Sequence, residues 1–128
     1  MSPKKVLIAD DDPTLVRILE VRLRRLGFEV RSTHDAMHAL TCIHRDPPDL
    51  IIMDIAMPAG DGLAACDMLA HDRRLRDIPI IVMSGRADTE TRSRCQSLGT
   101  DFVLKTGDLW TGLKPMVLRR LNLEEQLV

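Results

Sequence analysis

One run constrains the chain more than any other. Leu50-Ile51-Ile52-Met53 leads straight into Asp54, and Pro58, Gly60 and Gly62 follow soon after. Continuous apolar residues bounded by turn formers read as a strand buried on both faces, the signature of a central strand in a parallel sheet. Asp54 then stands where that strand leaves the core, the edge at which open α/β sheets bind ligands. Three further runs end alike: Val6–Ala9 in Asp10 and Asp11, Ile80–Met83 in Ser84, and Phe102–Leu104 in Lys105.

Between these runs lie helical patterns. Pro13 suits a first helical turn with Asp12 as its cap. A first helix then runs to about Leu26 with Val16, Leu19, Leu23 and Leu26 on one face, and Gly27 stops it. Phe28–Ser32 alternates as an edge strand. Asp35–Arg45 reads as the second helix, with Ala36, Ala39, Leu40 and Ile43 inward, and Leu63–His71 as the third, burying Leu63, Cys66 and Leu69. Asp88–Leu98 reads as a fourth helix anchored only by Cys95 and Leu98, hence weakly held, and Asp101–Leu104 as the fifth strand. The fifth helix is expected to begin near Thr111–Leu113, with Pro115 in its first turn, and to run to about Leu121; a longer, kinked helix from Asp108 is the competing reading. The alternation predicts a single three-layer, doubly wound α/β domain with a parallel sheet and helices on both faces. Right-handed crossovers allow few topologies, and fold statistics, not the spacing itself, favour the flavodoxin-like five-strand order 2-1-3-4-5. The core spans about residues 5–121, and 122–128 form a tail or the start of a linker. In that order Asp10, Asp11 and Asp54 converge on one crevice.

Bulk properties exclude several functions. A net charge of −1 provides no field for nucleic acid or an anionic membrane. No apolar stretch approaches a membrane span, and Met1–Lys5 lacks the features of a secretory signal, so a cytoplasmic location is expected. Cys42, Cys66 and Cys95 form no Cys-x-x-Cys pair and read as small hydrophobes, not as a disulfide or zinc framework. His34, His38, His44 and His71 read as surface residues, the four-residue spacing of His34 and His38 notwithstanding. Asp61 reads as a turn residue, Arg22, Arg24 and Arg25 as a solvated helix face, and Trp110 as packing.

Three crowded carboxylates repel one another, so one pKa rises unless a cation intervenes. Hard oxygen ligands in a partly open site suit Mg²⁺. A carboxylate is also a nucleophile toward a phosphoryl group, given neutralisation of the phosphoryl oxygens. Lys105 can supply an ammonium for this and Ser84 a hydroxyl donor.

Here the chain resembles a known family, the receiver domain of two-component response regulators, and is similar to the single-receiver regulators of the chemotaxis type. The resemblance runs from Lys5 to about Leu121. It rests on Asp10-Asp11, on Asp54 in the form Asp-x-x-Met-Pro-x-x-Asp-Gly, and on Ser84, Phe102 and Lys105, in order. It implies that Asp54 is the phosphoacceptor, and that Mg²⁺ is held by Asp11, Asp54 and the Ala56 carbonyl, with Asp10 acting through water. It implies that Lys105 and Ser84 engage the phosphoryl group and that Ser84 and Phe102 form the switch pair. The implied partners are a sensor histidine kinase or phosphotransfer protein and, downstream, an output protein or a covalently linked output domain. Output is expected through the face of the fourth helix, fifth strand and fifth helix, with no direct binding of nucleic acid or membrane. Such a domain is regulatory and catalyses only its own phosphotransfer and dephosphorylation.

Three departures bear on the output face and the loops. Thr106 replaces the usual Pro after the lysine, where a cis bond would cost about 2.5–4 kcal/mol, which favours trans. Gly60 stands where many relatives have a bulky Met, and the fifth helix is broken by Gly and Pro. These keep a second reading open, a receiver-like interaction module that binds independently of phosphate. A metal-dependent phosphohydrolase is disfavoured because Ala56 stands where its motif requires a second Asp. A nucleic-acid binder is disfavoured because the chain has no basic stripe.

Overall fold

The computed structural model describes residues 2–57, 60–86 and 88–121, with the backbone alone at 60 and 61. In chain order the elements are β1 (Lys5–Ala9), α1 (Pro13–Arg25), β2 (Glu29–Thr33), α2 (Ala36–Arg45), β3 (Leu50–Asp54), β4 (Ala56–Met57), β5 (Gly60–Asp61), α3 (Gly62–Ala70), β6 (Ile80–Ser84), α4 (Thr89–Leu98), β7 (Asp101–Leu104) and α5 (Leu109–Arg120). The main sheet is parallel with order β2-β1-β3-β6-β7. Because β4 and β5 form only a separate two-residue ribbon, this is the expected 2-1-3-4-5 arrangement.

Alternation along the buried strands sends side chains into two cores. Val6, Ile8, Ile52, Ile81, Met83 and Val103 meet α1 and α5 on one face. Leu7, Ala9, Ile51, Met53 and Val82 meet α2, α3 and Cys95 of α4 on the other. Every residue of β3 and β6 is buried, as their unbroken apolar runs require. The segment 122–128 lies outside the described residues.

The helix ends follow their sequence signals. Asp12 accepts from the N–H groups of Thr14 and Leu15, and Asp88 from that of Thr91. Gly99 closes α4 at φ +74°. Only Cys95 of α4 is buried, as its sparse apolar pattern predicts. Gly62 opens α3 at a close approach: a Cβ there would lie 2.5 Å from the Asp54 carbonyl oxygen and 2.8 Å from Ile55 Cα.

The fifth helix corrects the expectation. It begins at Leu109, not near Thr111–Leu113, and holds Pro115 in its interior. The early start buries Leu109 above Leu113, Val117 and Leu121, one residue per turn, and packs Trp110 against the same core. Burying a Leu contributes about 1.5–3 kcal/mol. Together with Trp110 this outweighs the roughly 3 kcal/mol that an interior Pro costs. Among the described residues no peptide bond is cis, so Lys105–Thr106 is trans.

Candidate functional site: a carboxylate crevice at the strand ends

Strand register assembles the site. Ala9 pairs with Met53, Asp54 with Met83, and Ser84 with Leu104. The residue at or just beyond each pair is therefore Asp10, Asp54, Ser84 or Lys105, and all four fall on the carboxyl edge of the sheet. Asp10, Asp54 and Ser84 are buried, while Asp11 is exposed at the rim.

Backbone N–H groups hold one oxygen of each of these buried side chains. The Asp10 backbone N–H donates to the Thr33 carbonyl at 3.1 Å, and Asp10 Oδ1 accepts from the Asp12 N–H at 2.9 Å. Asp54 Oδ1 accepts from the Ala56 N–H at 3.2 Å. Ser84 Oγ accepts from the Arg86 N–H at 3.0 Å, and the Ser84 carbonyl accepts from the Lys105 N–H at 2.7 Å. Lys105 Nζ lies 2.8 Å from Asp10 Oδ2 and 3.2 Å from Asp54 Oδ2, spanning the two acids.

Burial raises the Asp10 carboxyl above its ordinary value. Bonds from Lys105 and the Asp12 N–H oppose this only in part, and the Asp54 charge adds to it. Burial also draws the Lys105 ammonium down, but the bonds and charges of Asp10 and Asp54 outweigh it and leave the pKa raised. Lys105 is thus held protonated.

The donor set fits a hard cation. One oxygen from each of Asp10, Asp11 and Asp54 lies within 4.8 Å of the others, and three carboxylates face a single ammonium. Among the described residues, buried Asp10 Oδ2 meets only its ion pair with Lys105 and accepts no well-formed hydrogen bond. Oxygen-only ligation by a small, charge-rich cluster is the preference of Mg²⁺. Beside the cluster, a hollow of about 940 Å³ is lined by Ile55, Ala56, Ser84 and the first turn of α4, room for a phosphoryl group.

The expected residues thus gather in one place, apart from Phe102. Phe102 lies within β7, half-buried against the α2–α4 core, with the Arg92 guanidinium 4.9 Å from its ring centroid. Sequence reasoning missed Arg92, since nothing local in α4 marks which of its arginines meets β7. It also missed the Asp12 and Arg86 N–H groups, whose roles follow from backbone turns.

The family model for the response regulator receiver domain matches residues 6–111. A probable transcriptional regulator, ycf27, of Galdieria sulphuraria is 39% identical over 103 residues, covering 80% of this chain and 39% of that protein. The DNA-binding response regulator MtrA of Mycolicibacterium smegmatis is 31% identical, covering 80% of this chain and 44% of that protein. The chain therefore spans about two fifths of the length of these curated relatives. A putative response regulator from Chloroflexus aurantiacus superposes with a TM-score of 0.86 at 29% identity, covering 94% of this chain and 99% of that one. The receiver domain of a Pseudomonas aeruginosa sensor histidine kinase, solved with a magnesium ion in its active-site cleft, gives a TM-score of 0.83 at 26% identity, with coverage of 94% and 99%.

Proposed function

The chain belongs to the response regulator receiver domain family, a regulatory signalling domain, and on that premise we propose that it is a switch phosphorylated on Asp54. The observation that carries this reading is the buried Asp54 carboxylate, with Lys105 Nζ 3.2 Å away and the Asp10 and Asp11 oxygens within 4.8 Å. The phosphodonor is the phosphohistidine of a sensor histidine kinase or phosphotransfer protein. An Asp54 oxygen bonds to phosphorus as the P–N bond breaks, the electron pair leaving with the imidazole, which takes up a proton. The product is an acyl phosphate, later hydrolysed back to Asp54 and phosphate.

Asp11, Asp54 and the Ala56 carbonyl would hold Mg²⁺, with Asp10 acting through water. Bound there, Mg²⁺ supplies the positive charge that phosphoryl oxygens need during transfer. The chain's own residues supply the rest. Lys105 leaves its bridge to Asp54 to pair with a phosphoryl oxygen. The Ser84 hydroxyl, one strand away, turns to donate to another. Phe102 follows that movement, and its ring carries the change to the face of α4, β7 and α5. The thin anchoring of α4 supports this route, since a switching element draws on the least stable part of a fold. Output is through a downstream protein or a covalently linked domain, with neither nucleic acid nor membrane bound by the domain itself. Its setting is cytoplasmic.

Intact mass after exposure to a small-molecule phosphodonor tests this. A phosphoryl adduct is expected with Mg²⁺, absent without it and absent in Asp54→Asn. A folded, Mg²⁺-binding protein that takes up no phosphate would instead be an interaction module independent of phosphorylation.

A further inference from the structure

The contact between Arg92 and Phe102 joins the most thinly anchored helix to the ring of the switch pair. Val82 pairs with Phe102 and Ser84 with Leu104. By alternation the Ser84 and Phe102 side chains therefore share a face of the sheet, one diagonal step apart. The fourth helix covers that face, with Cys95 buried in the same core that Phe102 packs against. Arg92 precedes Cys95 by three residues and so lies on the side of α4 turned to the sheet. Its guanidinium stands 4.9 Å from the centroid of the half-buried ring, while Arg92 itself is exposed.

Building on the switch reading of Ser84 and Phe102, we propose that Arg92 is a positioning residue: it holds the Phe102 ring in its unphosphorylated place and so sets how readily the switch turns. A phenylalanine has no hydroxyl to anchor it, so packing and the charge distribution of the ring decide where it rests. A guanidinium over the ring face is attracted by the ring quadrupole, a bias of about 2- to 5-fold at an exposed site. Movement of the ring toward Ser84 takes it off the guanidinium, so the attraction opposes that movement.

The same contact links the ring to the helix. With Cys95 its only buried residue, α4 has little else to hold it. Thr91, next to Arg92, lines the hollow beside Ser84, so the loosened turn is the one that borders the crevice. The coupling is reciprocal: drawing Phe102 inward frees α4, and fastening α4 through Arg92 resists phosphoryl binding.

Binding of beryllofluoride, a mimic of the phosphoryl group, in Mg²⁺ tests this through a double-mutant cycle. Arg92→Gln removes the charge and keeps a polar side chain; by Coulomb attraction alone it should weaken binding of an anion. Phe102→Leu removes the ring and leaves only that Coulomb effect. Relative to its effect in the Phe102→Leu background, Arg92→Gln should tighten beryllofluoride binding about 2- to 5-fold. Arg92→Lys, which keeps a cation, should fall between wild type and Arg92→Gln. Should Phe102→Leu fail to fold by circular dichroism, Phe102→Met takes its place. An equal effect of Arg92→Gln in both backgrounds, or Arg92→Lys matching Arg92→Gln, would overturn the proposal and leave the switch reading standing. A folded wild type that binds no beryllofluoride would overturn the switch reading and the role of Arg92 with it.

Discussion

Asp10 is fully buried yet ionisable, and its carboxyl sits above the ordinary value of 3.8 mainly because burial penalises its charge. The linkage sign follows. A raised folded-state pKa contributes stability below the unfolded value, and that contribution is lost as pH rises through the folded one. The charge that Asp10 takes on as pH rises is therefore destabilising. Without Mg²⁺, Asp10→Asn is expected to melt higher than wild type at pH 7, and the difference should shrink as pH falls toward 3.8 in paired thermal melts. Gly62 supports a second expectation. An added Cβ meets the backbone of Asp54 and Ile55 at 2.5–2.8 Å, where no side chain can give way. Gly62→Ala should cost about 1–3 kcal/mol in urea unfolding, the range for overpacking. At this scale the crevice was legible because Asp10, Asp11, Asp54, Ser84 and Lys105 each terminate an apolar run. The pairing of Arg92 with Phe102 was not, because it depends on which elements become neighbours, and local periodicity does not write that.

Among the elements, α5 follows the longer course from Asp108 that stood only as the competing reading, and the β4–β5 ribbon, which takes in Asp61, was not foreseen. Gly107, Gly112 and Pro115 are strong local breakers, whereas the stripe of Leu109, Leu113, Val117 and Leu121 gains value only once a sheet lies beneath it. Pro115 is exposed and interior to α5, and it deprives the Thr111 carbonyl of its helical donor. Pro115→Ala should stabilise the fold by about 1–3 kcal/mol, toward the limit set by helix propensity. A helix starting at Thr111–Leu113 would give almost no gain, so chemical denaturation separates the two starts. The fourth helix was read correctly because its sequence carries so little to bury. Amide exchange by mass spectrometry should find α4, with Cys95 its only buried residue, the least protected of the five helices.

For the whole molecule, the same strands face both cores, so the acid edge and the two helical layers respond as one unit. Filling the crevice should then register as global stability. Mg²⁺ at a hundred times its dissociation constant should add about 2.7 kcal/mol, seen as a rise in melting temperature that Asp54→Asn largely loses. The layers were legible from alternation, while the strand order came from the statistics of such folds, since right-handed crossovers leave few ways to stack five such units. The ends of the molecule have a consequence of another kind. Arg120, at the close of α5, bonds through Nη2 to Asp101 Oδ1 at 2.7 Å, and Asp101 opens β7. The last helix thus returns to the edge where the strands begin, as Lys5 does in β1. Both ends of the described chain leave from the side opposite the crevice. A tether, a surface anchor or a fused fluorophore fixed at either end would leave the reactive edge facing outward. A bridging peptide between them, with new ends cut elsewhere, would give a circular permutant that keeps its chemistry.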